Sequence, residues 1–152
     1  MHSKDTEYRE NDTVELLFRV SHLLKRAFNI KLEEYDLPPE LTGERMRVMM
    51  EVLNQDGIKM NELARKLDIK ARTVTAYIDS IEKIGYIRRS PDPDDRRATR
   101  LHLTDLALSR IEDFGHAMQQ ASRDLLSGLS TAQQMELFDL LSMLYDDQNL
   151  HI

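Results

Sequence analysis

The chain has 152 residues, of which 41% are hydrophobic and 32% charged, and its formal net charge is −6. This length suits one domain with a moderate core, and the hydrophobic content is too high for a disordered chain. No apolar run exceeds three residues, which excludes a membrane-spanning helix, and no secretory signal is recognisable, so we expect a cytoplasmic protein. The absence of cysteine excludes disulfides, thiolate metal sites and a cysteine nucleophile.

Charge is distributed unevenly along the chain. Residues 59–104 contain eleven basic and seven acidic side chains, whereas the rest of the chain contains ten basic and twenty acidic ones. A basic middle third in an acidic chain is typical of a module that binds a polyanion. Chance clustering on a solvated surface would give the same counts. The order of the structural elements therefore has to show whether this segment is a binding module.

The first two predicted elements are helices. Asp12 and Glu15 have the spacing of a capping box, and the apolar residues after them recur at helical spacing. Pro38 and Pro39 follow the end of this helix, because proline cannot continue one. Thr42 can then cap the second helix.

Three apolar sets follow at the spacing i, i+3, i+4, i+7, which places each set on one face of a helix. They are Met46, Met49, Met50 and Leu53, then Met60, Leu63, Ala64 and Leu67, then Val74, Tyr77, Ile78 and Ile81. Only residues 68–70 separate the second set from the third, which suits a tight turn between two crossing helices. The pattern therefore predicts a helix-turn-helix.

A charged hairpin is predicted after Gly85, which can end the third helix in the left-handed conformation. Residues 86–90 and 99–103 show the alternation of two strands. The eight residues between them form a long loop that two prolines stiffen, and long loops in compact domains tend to be functional. A stiff hairpin in this position predicts a wing.

Two further helices are predicted after the wing. Thr104 and Asp105 begin a long helix that ends at Gly128, and Ser130 with Gln133 forms a capping box for the last helix. The last helix is apolar on two faces, so we expect its own chain to cover one face and a second copy to cover the other. The first and last helices would then hold a dimer, with a monomer that has a thick helical core as the alternative.

Five motifs in residues 59–104 carry a resemblance to a known family. They read Asn61-Glu62-Leu63-Ala64, Arg72-Thr73-Val74-Thr75, Ile81-Glu82-Lys83-Ile84-Gly85-Tyr86-Ile87, Pro91-Asp92-Pro93-Asp94-Asp95-Arg96-Arg97 and Leu101-His102-Leu103-Thr104. In this order they resemble the MarR family of bacterial winged-helix transcriptional regulators. The flanking helices agree with that family in order and length, so the resemblance spans nearly the whole chain.

The resemblance implies a mainly α fold, a winged helix-turn-helix with a two-stranded β-hairpin wing flanked by N- and C-terminal dimerisation helices. Within one chain of residues 1–152, residues 42–104 would form the DNA-binding lobe, and residues 11–36 and 105–149 the dimerisation lobe. The implied function is a homodimer that binds a pseudo-palindromic double-stranded DNA, most often as a repressor relieved by a small phenolic or lipophilic ligand. A winged-helix protein-interaction module without sequence-specific DNA binding is the alternative.

The expected DNA contacts lie on the third helix of the lobe and on the wing. A recognition helix places its first residues in the major groove, which points to Arg72, Thr73 and Thr75 at bases or flanking phosphates. Arg97 at the wing tip suits the narrow minor groove of an A·T-rich segment, and Asp95 is expected to hold it by hydrogen bonding. The remaining expected contacts are to phosphates, through Lys70 and Arg96. The strand arginines either touch DNA or are solvated; they are Arg88, Arg89 and Arg100.

An effector cleft bordered by His22 or Met49 is a further expectation from the resemblance. Methionine is an adaptable core residue, so the methionine-rich helix faces are interpreted as core. The five histidines form no HExxH motif, and neither a glycine-rich phosphate loop nor a GxSxG motif is present. We therefore predict no enzyme activity, no catalytic residue, no cofactor and no metal site.

Overall fold

The structure, a computed structural model, describes residues 9–149 of the chain and the side chains of residues 9–148. Helices dominate this part of the chain, and three short strands form a single sheet. In chain order the elements are α1 Glu10–Leu32, α2 Gly43–Asn54, β1 Ile58–Lys59, α3 Met60–Leu67, α4 Ala71–Lys83, β2 Ile87–Pro91, β3 Thr99–Leu103, α5 Asp105–Ser109, α6 Ile111–Leu126 and α7 Thr131–Asn149. No helix of residues 9–149 has the length and apolarity needed to cross a membrane.

The sheet is antiparallel with the strand order β1-β3-β2. The predicted hairpin is present, and its register pairs Ile87 with Leu103 and Pro91 with Thr99. A third strand was not predicted: Ile58 pairs with Leu101 on the other side of β3. Two residues are too few to show alternation, and their partners lie about forty positions further along the chain. The predicted winged helix-turn-helix fold is confirmed, with the wing sheet one strand wider.

The core of the winged lobe lies where α2, α3 and α4 meet the inner face of the sheet. The predicted apolar faces of α3 and α4 point into this core, with Leu63 and Ile78 fully inaccessible. At the edge of the core, three residues of these faces are only half-buried: Met60, Leu67 and Tyr77. The predicted face of α2 is only partly right, because Leu53 is 37% exposed whereas Val48 and Val52 are buried. Since α2 packs against α1, α3, α4 and β3, its buried surface extends beyond a single stripe.

The start of α2 lies close against the end of α1. Thr42 caps α2 as predicted, and the backbone N–H of Gly43 donates to Asn29 Oδ1 at 2.8 Å. A Cβ atom on Gly43 would lie 2.7 Å from the Phe28 ring, so only glycine permits this approach. The predicted start of α1 was wrong: the helix begins at Glu10, and Asp12 lies within its first turn.

The long helix predicted after the wing is broken into α5 and α6. Thr104 caps α5 by accepting from Ala107 N at 3.2 Å and donates its own hydroxyl to Gly85 O at 2.6 Å. Arg110 separates the helices with φ −113° and ψ 3°, and its guanidinium donates to Asp36 O in the connection between α1 and α2. The apolar pattern continues across this break, so periodicity gave no signal for it.

The last helix leaves both of its apolar faces exposed. Its predicted capping box is present, since Ser130 N donates to Gln133 Oε1 at 2.9 Å and Gln133 N donates to Ser130 Oγ at 3.2 Å. The expectation that its own chain covers one face was wrong, because no side chain of residues 131–148 is buried. The exposed apolar residues include Met135, Leu137, Phe138, Leu140, Leu141, Leu144 and Tyr145. Helical periodicity shows that a face needs cover but not which chain provides it.

Candidate nucleic-acid interface

The wing begins with a turn built around Asp92, whose side chain is closed off from solvent. Its Oδ1 accepts hydrogen bonds from the backbone N–H groups of Asp94 at 2.8 Å and Asp95 at 3.0 Å. Its Oδ2 lies 2.8 Å from Arg100 Nε and 3.5 Å from Lys59 Nζ. The Asp94 and Asp95 N–H bonds, with the charges of Arg100 and Lys59, outweigh desolvation and hold the Asp92 pKa below its usual 3.8.

The tip of the wing is fixed by Asp95. Arg97 N donates to Asp95 Oδ1 at 2.9 Å, and Ala98 N donates to Asp95 O at 3.0 Å. The predicted hydrogen bond between these two residues is therefore present. Arg96 and Arg97 are both exposed, so their guanidinium groups are available to a ligand outside the chain.

Helix α4 has an inner and an outer face. Val74, Ile78 and Ile81 are buried in the core, whereas Lys70, Arg72 and Thr75 are exposed and Thr73 is half-buried. The Thr75 hydroxyl donates its one hydrogen to Ala71 O at 3.0 Å. Its oxygen can still accept a hydrogen bond, and its methyl group can still make an apolar contact.

Tyr77 packs against the core as predicted. The guanidinium of Arg45 lies over its ring, 5.5 Å from the centroid.

A groove of about 340 Å³ lies between the wing and the start of α3 and α4. It brings together Thr75 of α4 with Asp95 and Arg97 of the wing. Six further lining residues were not predicted as contacts, and three of them, Lys59, Met60 and Asn61, are carried to the groove by β1 and the start of α3. The only signal for them was Asn61 in the first family motif. The other predicted residues lie outside this lining; they are Lys70, Arg72, Thr73 and Arg96.

Two of the three strand arginines brace the lobe. Arg89 pairs with Asp79 and has its Nε 3.3 Å from Glu82 Oε2, which ties β2 to α4. Arg100 pairs with Asp92 and donates from a terminal nitrogen to Gly57 O at 3.1 Å. Arg88 is exposed.

His102 also braces the sheet. Its Nε2 lies 2.8 Å from Ser90 Oγ and its Nδ1 lies 2.9 Å from Asp56 Oδ1. These contacts join both wing strands to the turn before β1.

A second cavity, of about 310 Å³, lies between α1, α2 and α6. Most of its surface is apolar, and its charged lining residues are two cations, Lys25 and Arg47, and one carboxylate, Glu44. The two residues suggested for an effector cleft do not line this cavity. Met49 is buried in the core at 1% exposure, and His22 is an exposed residue of α1. The apolar lining consists mainly of Leu24, Phe28, Met118, Leu125 and Leu126.

Comparison with known proteins places the chain in a family. Residues 41–99 match the model of the MarR family. The HTH-type transcriptional regulator PecS of Dickeya dadantii is 30% identical over 129 residues, which are 82% of this chain and 75% of PecS. YdgJ of Bacillus subtilis, an uncharacterised HTH-type transcriptional regulator, is 25% identical over 72% of this chain. The match spans 66% of the length of YdgJ, just under two thirds.

Solved structures share the fold over almost the whole chain. A MarR transcriptional regulator from Methanosarcina mazei matches with a TM-score of 0.78 and 20% identity, over 94% of this chain and 100% of its own. The MepR–DNA complex of S. aureus matches with a TM-score of 0.75 and 24% identity, over 93% of this chain and 99% of its own. PcaV from Streptomyces coelicolor, in complex with its natural ligand, matches with a TM-score of 0.72 and 19% identity, over 96% of this chain and 98% of its own. The family model, the similarity to PecS and the shared fold agree, and the chain belongs to the MarR family of winged helix-turn-helix transcriptional regulators.

Proposed function

We propose that the chain regulates transcription, as a homodimer that binds a pseudo-palindromic double-stranded DNA. The observation that carries this proposal is the groove in which Thr75 of α4 and Arg97 of the wing line one concave surface. A winged helix uses such a pair of elements on adjacent grooves of the duplex, with the helix in the major groove. The solved MepR structure of the same fold is a complex with DNA.

In this proposal α4 is the recognition helix. Arg72 is exposed in its first turn and has the length to donate two hydrogen bonds to a guanine. Thr73 offers its hydroxyl group to a phosphate or its methyl group to thymine, whereas Thr75, whose hydroxyl already donates to Ala71 O, offers its methyl group. Lys70, at the N-terminal end of the helix, contacts a phosphate and positions the helix without reading sequence.

The wing supplies the second set of contacts. Arg97 enters the minor groove, whose negative potential is strongest where an A·T-rich segment narrows it. The hydrogen bond from Arg97 N to Asp95 fixes the backbone from which this side chain extends. Arg96 contacts a phosphate beside it.

The exposed apolar faces of α1 and α7 support the homodimer. Phe18 is 72% exposed and Phe138 is 70% exposed, and each belongs to a long row of exposed apolar residues on its helix. Contiguous apolar surface of this kind marks an interaction site, and a second copy with two-fold symmetry would cover the same patch on both chains. The paired recognition helices would then meet half-sites about one helical turn apart. Residues 11–36 and 105–149 form the dimerisation lobe in this proposal, and residues 42–104 the DNA-binding lobe.

We further propose that the chain is a repressor released by a small phenolic or lipophilic ligand. The cavity between α1, α2 and α6 lies between the two lobes, and its volume of about 310 Å³ and apolar lining suit a small aromatic molecule. Lys25 and Arg47 would pair with a phenolate or carboxylate on that molecule. PcaV, which has the same fold, was solved with its natural ligand.

The test of DNA recognition is selection of bound fragments from a pool of random duplexes. We expect enrichment of a pseudo-palindrome, and we expect the selected duplex to outcompete a scrambled duplex of equal length and charge. A chain that binds both duplexes equally would instead be the alternative, a winged-helix module that docks on an acidic protein partner. Salt dependence alone does not separate the two functions, because the basic surface would bind both DNA and an acidic protein electrostatically.

The test of the effector is a titration of phenolic and aromatic carboxylate ligands. We expect a raised melting temperature and a weakened affinity for the selected duplex, since a ligand that binds one conformation preferentially shifts the population toward it. Leu125→Trp, which fills the cavity, should abolish both effects while DNA binding persists. Unchanged melting and DNA affinity across the series would count against the effector.

A further inference from the structure

Asp92 is the one charged residue that is buried among residues 9–148, with 4% of its surface accessible. A buried carboxylate is costly unless hydrogen bonds and cations satisfy it. Its two oxygen atoms have different partners, and those partners connect the residue to both sides of the groove.

Oδ1 shapes the backbone of the wing. It accepts from Asp94 N and Asp95 N, and the side chain of Asp95 in turn accepts from Arg97 N at 2.9 Å. This chain of hydrogen bonds runs from a buried anchor to the residue proposed for the minor groove. The backbone conformation from which the Arg97 side chain extends therefore depends on Asp92.

Oδ2 pairs with two cations, one of which, Lys59, would otherwise face a polyanion. Lys59 Nζ lies 3.5 Å away, and Lys59 is also one of the residues that line the groove beside Thr75 and Arg97. A free lysine at that place would attract any phosphate regardless of sequence, because phosphate contacts supply sequence-independent binding. Arg100 Nε lies 2.8 Å from the same oxygen, but Arg100 also donates to Gly57 O at 3.1 Å and therefore keeps a partner within the lobe when Asp92 is neutralised.

We infer that Asp92 is a positioning residue that sets sequence discrimination, because it orients the wing tip that carries Arg97 and withholds Lys59 from DNA phosphates. This inference rests on the proposed function. Asp92 acts through these neighbours and does not itself contact DNA.

Asp92→Asn separates the two roles. Asparagine keeps an acceptor for the two wing N–H groups, but it replaces the oxygen that faces the cations with an uncharged amide. The matched control is Asp94→Asn, which removes the same charge from an exposed side chain of the same loop. Affinities of both variants and of the unmodified chain are measured against the selected duplex and a scrambled duplex at several salt concentrations.

For Asp92→Asn we expect tighter binding to the scrambled duplex, a salt slope steeper by about one unit, and a specificity ratio lower by about tenfold. Asp94→Asn should raise both affinities in parallel and leave their ratio unchanged. Adding Lys59→Met to Asp92→Asn should restore the original salt slope, because the released lysine is then absent. Circular dichroism melting checks that each variant is folded.

Two failures are distinguishable. If the unmodified chain does not discriminate between the duplexes, the proposed function fails and this inference falls with it. If the unmodified chain discriminates but Asp92→Asn matches Asp94→Asn in slope and ratio, or Lys59→Met does not restore the slope, Asp92 is only a structural residue of the wing and the inference is overturned.

Discussion

The backbone N–H of Arg97 donates to the carboxylate of Asp95, two residues earlier, at 2.9 Å. This short loop of hydrogen bonding fixes the backbone at the wing tip and leaves the Arg97 guanidinium exposed. A cation held at the end of a braced hairpin loses less conformational entropy on binding than one on a flexible loop. The relationship between these two residues therefore supports a minor-groove role for Arg97.

Arg97→Ala should weaken DNA binding and lower the salt slope by about one unit, because one cation no longer displaces a counterion. Fluorescence anisotropy at several salt concentrations measures both quantities. Arg123→Ala is the control, since Arg123 is an exposed arginine on α6, away from the wing. A salt titration that Arg97→Ala leaves unchanged would show that this residue meets neither a phosphate nor a groove.

Arg72→Ala should cost roughly 1–3 kcal/mol of binding free energy and relax the preference at one base pair of each half-site. Binding to a set of duplexes with single base-pair changes measures the effect, and Arg65→Ala, an exposed arginine of α3, is the control. An equal loss on every duplex would identify Arg72 as a phosphate contact.

The helices of the winged lobe could be predicted because their apolar residues recur at helical spacing, and the buried faces of α3 and α4 follow that pattern. The hairpin and the bond between Asp95 and Arg97 could also be predicted, because both are local in sequence. These features need only residues that lie close together along the chain.

The features that were missed depend on residues distant in sequence. Strand β1 exists only because Ile58 pairs with Leu101, and the burial of Asp92 requires Lys59 and Arg100 to meet across that sheet. Lys59 therefore reaches the groove through a contact that no local pattern reports. The break at Arg110 was missed for a related reason, since its guanidinium bonds to the distant carbonyl of Asp36.

Asp92 should titrate below pH 3.8, its usual pKa, because the Asp94 and Asp95 N–H groups and the Arg100 and Lys59 cations favour its charged form. A group whose pKa is lower in the folded chain stabilises the fold above its unfolded pKa. That contribution is lost as the pH falls through the folded pKa. The ion pairs of the wing should accordingly persist at neutral pH and weaken only in strong acid.

Carbon-13 NMR of the Asp92 carboxyl group measures this titration. Arg100→Met should raise the Asp92 pKa, since it removes a cation 2.8 Å from the carboxylate. A carboxyl group that titrates at or above pH 3.8 in the unmodified chain would contradict the ion-pair arrangement of the wing.

Phe138→Glu should dissociate the proposed dimer. The Phe138 ring is exposed in the single chain and would be buried in the dimer, so the variant would place two carboxylates, one from each chain, in the interface. Burying one phenyl ring contributes roughly 1.5–3 kcal/mol to the free energy of association, and a two-fold symmetric dimer would lose this contribution from both chains. Sedimentation velocity should show the unmodified chain at twice its 17.8 kDa mass and the variant as a monomer. Gln119→Glu adds the same charge to an exposed position of α6 and should remain dimeric. An unmodified chain that sediments as a monomer would refute the dimer.

The most direct test of the DNA-binding geometry is chemical footprinting of the chain on the selected duplex with dimethyl sulfate. This reagent methylates guanine N7 in the major groove and adenine N3 in the minor groove. We predict two patches of guanine N7 protection about one helical turn apart, each flanked by adenine N3 protection that Arg97→Ala removes while the guanine protection remains. Protection confined to one groove, or adenine protection that survives Arg97→Ala, would contradict the assignment of α4 to the major groove and the wing to the minor groove.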